Sequence, residues 1–275
     1  MPSSPPKIGL ALSGGAVRGM AHVGVLRALK ENGIPIDCIA GTSAGSIVGG
    51  AYAAGMPIDK IAELGCQLRW RHIGRMTMSP LGFQTNKRLE SYMRDRLPVT
   101  RFEDLPIPFA AVATDLRTNS AVVLKDQGDV PFAIRASCTI PGWYVPVVDD
   151  QGRQLVDGGL VAVVPAVVTR SLGADIVIAV DVNTEGPPFI GSTNWLLGVL
   201  VQSLVVVAKT ASSYQLQMSD IVISPKLGHV RYHKMGRAAE VIEAGYEAGL
   251  QSIAKIRELI DLAGEKKPQR EEMLA

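Results

Sequence analysis

At 275 residues the chain is long enough to bury a sizeable core, and 47% hydrophobic residues with a mean hydropathy of +0.19 suit strands covered on both faces. Lys and Arg number 28 against 26 Asp and Glu; the formal charge of +2 gives no electrostatic case for nucleic acid, and no nucleic-acid motif is present. Cys38, Cys66 and Cys138 are odd in number and widely spaced, offer no zinc pattern, and sit among apolar or small residues that predict buried free thiols in a reducing compartment.

Met1 to Lys7 is rich in Pro and Ser and lacks the basic and apolar regions of a signal peptide, so the expectation is a disordered lead over 1–6 on a cytoplasmic protein. Ile8 to Leu12 reads as a buried strand, Gly19 to Asn32 as a helix closed by Gly33, Ile36 to Ala40 as a second strand, and Ala44 to Ala54 as a helix closed by Gly55. That β-α-β-α order predicts an α/β fold, three-layer α/β/α with a central, mostly parallel sheet. Asp59 to Arg69 is expected to be helical. The stretch Trp70 to Gln84 mixes cations with Trp70 and methionines; a solvated loop is expected, and its functional options are a flap over a site or peripheral contact with an anionic bilayer.

A helix at Asn86 to Leu97 follows, then strands at Pro108 to Thr114, Ala121 to Leu124, Arg153 to Val156 and Ile176 to Val182. The helix at Asn194 to Gln217 contains the most hydrophobic segment, Trp195 to Ala208. Interrupted by Gln202 and Ser203, it falls short of the roughly 20 apolar residues of a membrane span and reads as buried or partly interfacial. Ile221 to Ser224 is a last strand and Arg237 to Ala263 a long terminal helix, leaving 265–275 as a charged, disordered tail. The whole is expected to be one domain over 7–264.

Three short motifs carry chemistry. Gly41-Thr42-Ser43-Ala44-Gly45 is a G-x-S-x-G between a strand and a helix, the setting in which a sharp turn lifts a serine out of a sheet edge as a nucleophile. Ser13-Gly14-Gly15-Ala16-Val17-Arg18-Gly19 leaves the first strand and exposes successive N–H groups, a place for an oxyanion or a phosphate. It is not the dinucleotide fingerprint, because its third residue is Ala16, and no Walker motif follows. Leu155-Val156 leads into Asp157-Gly158-Gly159, a strand-end carboxylate able to act as a general base. Asp115, Asp149, Asp150 and Asp181 compete with it, but none is followed by two glycines.

Together the motifs resemble the patatin-like phospholipase family, lipid acyl hydrolases that use a Ser-Asp dyad. The family's G-G-x-x-[RK]-G loop matches Gly14, Gly15, Arg18 and Gly19; its nucleophile elbow matches Gly41 to Gly45; its D-G-[GA] motif matches Asp157 to Gly159. The likeness extends to Phe109–Leu116, Arg135-Ala136-Ser137, Ile140-Pro141-Gly142 and Leu172–Asp175, and covers roughly residues 7 to 225. Many relatives carry an asparagine between D-G-G and the next proline, where this chain has Leu160-Val161-Ala162-Val163-Val164-Pro165.

The resemblance implies Ser43 as nucleophile, Asp157 as base, an oxyanion hole at Gly14, Gly15 and Ala16, a lipid ester substrate, and no metal or organic cofactor. Arg18 is expected to hold a substrate phosphate, since guanidinium suits bidentate phosphate contact, or to orient the loop. His22 is expected to pack under the loop. Two rival readings stay open: a Ser-His-Asp triad completed by His229 or His233, and a non-catalytic lipid- or anion-binding module built on the same loop.

Overall fold

Strands buried on both faces follow directly from the short apolar runs. In the computed structural model, which describes residues 5–185, 196–232 and 235–274, β1 (Ile8–Leu12) and β2 (Cys38–Thr42) are buried at every position. A 3-10 turn (Ala16–Met20) links β1 to α1 (Ala21–Glu31), and β2 enters α2 (Ala44–Ala53) directly. Next come α3 (Ile58–Gln67), β3 (Arg75–Ser79), β4 (Gly82–Thr85), α4 (Lys87–Arg94), β5 (Phe109–Asp115), β6 (Ser120–Lys125) and α5 (Val130–Ser137). The short strands β7 (Gly142–Tyr144), β8 (Val147–Val148) and β9 (Gln154–Asp157) precede α6 (Ala166–Ser171), β10 (Ile176–Val180), α7 (Leu196–Leu216), β11 (Ile221–Ile223) and α8 (Ala238–Leu274).

The main sheet runs β11-β10-β1-β2-β5, parallel throughout, and continues into antiparallel β9 and β8, with β6 antiparallel on β5. Period-two alternation sorts its side chains by size. Ile8, Leu10, Leu12, Ile39 and Ile178 face a large core shared with the first two helices and α8. Ala11, Ala40, Ala110 and Ala179 face the other way, where small side chains let α6 and the segment before it close on the sheet. The result is a three-layer α/β/α fold.

β1 has β2 on one side and β10 on the other, so strand order reverses at β1. Chain leaving β1 and β10 departs in opposite directions, which opens a crevice beyond their carboxyl ends. The glycine loop lies there.

Some sequence expectations give way. The stretch Trp70 to Gln84 is a β-hairpin, not a loop: β3 pairs with β4, and β4 with β7, in a separate three-stranded sheet. The terminal helix runs on to Leu274 through the segment read as a tail, because its Glu, Lys, Gln and Arg are good helix formers as well as good solvating residues. Cys38 and Cys138 are buried, but Cys66 is exposed, since α3 turns Ile58 and Ile61 inward and Cys66 lies off that face. Among the described residues no helix is long and apolar enough to cross a membrane.

Candidate active site

Ser43 sits on the turn between β2 and α2 with φ +52° and ψ −121°, a conformation that L residues rarely adopt. The elbow tolerates this only because its glycines are bare. A Cβ at Gly45 would stand 2.2 Å from the Leu12 carbonyl oxygen, and one at Gly41 would stand 2.5 Å from that of Gly45. The Ser43 N–H donates to Ser137 Oγ at 2.8 Å, and the Ser137 hydroxyl donates in turn to the Val112 carbonyl at 2.6 Å. Ser46 Oγ donates to the Ser43 carbonyl at 2.6 Å. The strained turn is thus braced from both sides.

Asp157 reaches Ser43 through strand register. β6 covers one edge of β5, so β2 and β9 share the other. Thr42 lies opposite Val112 and Asp157 opposite Ala113, so two strands of opposite direction end against consecutive β5 residues. The Asp157 carboxylate lines the same cleft as Ser43, whose hydroxyl acts to lower its pKa, and it accepts the Gly159 N–H at 2.8 Å. Burial lifts the Asp157 pKa to about 6, outweighing the Ser43 hydroxyl and the Gly159 N–H, which both act to lower it. Such a carboxylate is ionised at neutral pH yet basic enough to accept a proton.

The D-G-G loop is pinned by main-chain carbonyls. Thr42 Oγ1 donates to the Ala162 carbonyl at 2.7 Å, and the Gly14 N–H to the Val163 carbonyl at 3.0 Å. Alanine and valine supply these acceptors as well as asparagine would, so the departure from the family pattern leaves the anchorage in place. It also corrects the expected donor set: Gly14 N–H is occupied. Among the described residues the Gly15 and Ala16 N–H groups have no protein acceptor, and both residues line the cleft beside Ser43. Gly19 and Gly158 are buried within the 3-10 turns that follow the two loops.

The phosphate role expected of Arg18 does not fit its place. The side chain is fully buried; Nε and Nη2 donate to the Val230 carbonyl at 2.9 and 2.8 Å, and Nη1 donates to the Glu185 carbonyl at 2.6 Å and the Tyr232 hydroxyl at 3.0 Å. Arg18 cross-links the glycine loop to two later segments. His22 Nε2–H donates to the Ser13 carbonyl at 2.8 Å beneath the loop, and burial lowers its pKa to about 4, so the ring is neutral. His229 is exposed and bonds Glu240 at 2.6 Å, while His72 stacks on Tyr92; His233 lies outside the described residues. Asp115 is turned to Arg117 and Thr118, Asp149 to Arg153, and Asp181 to Asn183.

Sequence reasoning missed Asn183, whose Nδ2 donates to the Gly14 carbonyl at 2.7 Å and to Asp181 at 3.2 Å. No motif marks it. Ser137 lay inside a matched segment without a role.

Two cavities meet at Ser43. One, of about 100 Å³, is lined by apolar groups including Ile47, Val48, Leu68, Ile73 and Leu89. The other, of about 460 Å³, runs from the glycine loop to α7 and includes Asp181, Asn183, Lys209 and Tyr232. The strand-elbow-helix serine, the carboxylate beside it and the glycine loop lie within a segment, residues 10–169, that matches the model of the family described as patatin-like phospholipase.

The chain belongs to the patatin-like phospholipase family. It is 41% identical over 184 residues to an NTE family protein of Mycobacterium tuberculosis, covering 66% of this chain and 50% of that one. To lysophospholipase NTE1 of Mycosarcoma maydis it is 38% identical over 185 residues, covering 64% and 10%. To patatin-like phospholipase domain-containing protein 6 of Homo sapiens it is 34% identical over 191 residues, covering 65% and 13%. The matched segment thus spans half or less of these relatives' own length. Among solved structures, VipD from Legionella pneumophila superposes with a TM-score of 0.58 at 15% identity, over 92% of this chain and 67% of that one, a likeness of fold.

Proposed function

We propose that this patatin-like chain is a serine acyl hydrolase that cleaves carboxylic esters of lipids, with Ser43 as nucleophile and Asp157 as its base. One observation carries the reading: Ser43 and a buried carboxylate, Asp157, line one cleft, and the carboxylate's pKa of about 6 suits proton transfer from the serine hydroxyl. Asp157 takes the hydroxyl proton as Oγ attacks the ester carbonyl, and the resulting oxyanion faces the Gly15 and Ala16 N–H groups. The leaving alkoxide takes the proton back from Asp157 and departs as the alcohol. Water, deprotonated by the same carboxylate, then attacks the acyl-serine; the fatty acid is released and Ser43 Oγ takes the proton back from Asp157. These steps draw on no metal or organic cofactor.

The apolar cavity suits the acyl chain, and the wider one suits the alcohol portion. Lys209 is the one cation among the described residues lining that wider cleft. It inherits the phosphate role that Arg18 cannot fill. The relatives named a lysophospholipase and a patatin-like phospholipase domain-containing protein support a lysophospholipid or phospholipid among these esters.

The test is an ester panel from short nitrophenyl esters to phospholipids, with Ser43→Ala as blank, beside labelling by a fluorophosphonate. Turnover and a covalent adduct at Ser43 are expected. A folded protein that neither turns over esters nor labels would instead be a lipid- or anion-binding module.

A further inference from the structure

We propose that the outer face of the β3–β4–β7 sheet is a docking surface for an anionic lipid bilayer. Register builds this face. Gly82 pairs with Gly142 and Gln84 with Tyr144, so the intervening Phe83 and Trp143 stand side by side on the opposite side from buried Tyr144. Their rings meet edge to face at 6.2 Å, yet they remain 50% and 47% exposed. Arg75, opposite Thr85, falls on the same side; Met76, opposite Gln84, stands on the other face, and Met78 and Leu81 are exposed towards the hairpin turn. Apolar side chains gathered at this density on a surface mark a place where something binds.

Charge selects the occupant. Between Glu63 and Glu90 the chain has no acidic residue but five cations: Arg69, Arg71, Arg75, Lys87 and Arg88. Among the described residues none of the five is in an ion pair, whereas Arg94, Arg101, Arg135, Arg153 and Arg170 all are. The positive net charge of the chain resides in this segment, and the remainder is net acidic. Aromatic and methionine side chains interleaved with unpaired cations match the acyl boundary and headgroups of an anionic leaflet. Continuity points the same way: Trp70 and Ile73, which lead into this sheet, also line the apolar cavity that ends at Ser43. A lipid chain leaving the bilayer here would meet apolar surface all the way to the serine. That entry route rests on the hydrolase reading, but the docking does not.

The experiment uses the full chain carrying Ser43→Ala, sedimented with vesicles of phosphatidylcholine alone or of phosphatidylcholine with phosphatidylglycerol. Binding to the anionic vesicles is expected, weakening with salt, and dropping more than about tenfold in Arg71→Glu/Arg75→Glu and in Met78→Ser/Phe83→Ser. In the Ser43 background those variants should keep turnover of a water-soluble nitrophenyl ester, which reports an intact fold, and lose turnover of vesicle lipid. Equal vesicle binding by parent and variants overturns the proposal. So does self-association of the parent that the same variants abolish, since the face would then belong to a second copy. Vesicle binding that the variants lose, in a protein inert toward every ester, would leave the docking surface standing and remove the hydrolase reading.

Discussion

The side-chain amide of Asn183 donates to the Gly14 carbonyl at 2.7 Å, and through that bond it sets the direction of the Gly15 N–H. In a trans peptide plane the carbonyl of one residue and the N–H of the next point opposite ways. Holding the Gly14 oxygen toward Asn183 therefore turns the Gly15 donor away from it. Asp181 accepts the second Asn183 amide contact at 3.2 Å and the Asn183 N–H at 2.9 Å, so the clamp is itself held.

Asn183→Ala should lower kcat for a short ester by roughly ten- to a hundredfold with KM little changed, less than the loss of a whole oxyanion donor at about 3 kcal/mol. Affinity for a trifluoromethyl ketone, which mimics the tetrahedral state, should fall in parallel with kcat/KM. A change confined to KM would assign Asn183 to substrate contact.

Ser43→Ala should abolish turnover while keeping the fold, since alanine fits the elbow. Gly45→Ala should destabilise by several kcal/mol, because its Cβ would meet the Leu12 carbonyl at 2.2 Å and backbone must shift. Thermal unfolding measures the second effect, and an unchanged Tm would contradict the packing of the elbow.

Asp157 and His22 should pull stability in opposite directions as pH falls. The Asp157 pKa is raised to about 6, so its folded state is fully favoured below the unfolded value near 4 and loses about 3 kcal/mol as pH rises through 6. The His22 pKa is lowered to about 4, so its contribution is present above 6.5 and is lost, by a similar amount, as pH falls toward 4. Between pH 6.5 and 4 the two largely cancel. Asp157→Asn should thus be inactive but more stable at pH 7 to 8, and should lose stability steeply on acidification; His22→Gln should gain it. Denaturant titrations across this range test both. In the parent, kcat/KM should fall as pH drops through about 6, where the base takes up its proton.

Arg18→Lys should cost on the order of 3 kcal/mol, because a lysine cannot reach the Val230 and Glu185 carbonyls together from a fully buried position. Any loss of activity should be equal on phospholipids and neutral esters. Lys209→Met should do the reverse, sparing the Tm and neutral esters while lowering kcat/KM for phospholipids about tenfold. Equal losses in Lys209→Met would remove it as the headgroup cation.

Much of the framework was legible beforehand. Ile8 to Leu12 became β1 with the same ends, and Ala44 to Ala54 became α2 but for one residue, since a short apolar run bounded by glycines has few other ways to bury itself. The hairpin at 75–85 was missed although Ser79-Pro80-Leu81-Gly82 is a turn signal and Arg75 to Ser79 alternates, because its strands are only five and four residues long and leave Met76, Met78 and Phe83 exposed instead of buried. Helix α5 was missed too. Asp129 caps it through the Phe132 N–H at 2.7 Å with Pro131 in the first turn, a pattern visible in the sequence but hidden there among strands.

By itself the sequence determined the parallel α/β framework and the residues with chemical potential, because hydrophobic period and glycine placement are local properties of the chain. It placed Ser43 on an elbow and Asp157 at a strand end. Only the tertiary structure decided that these two meet, since Val112 and Ala113 lie far from both in sequence and align them through ladder hydrogen bonds. The same holds for what each polar group is free to do. Gly14 and Arg18 carry donors suited to an anion, yet Val163, Val230 and Glu185 had already taken them, and whether a donor is spent is settled by its neighbours in space.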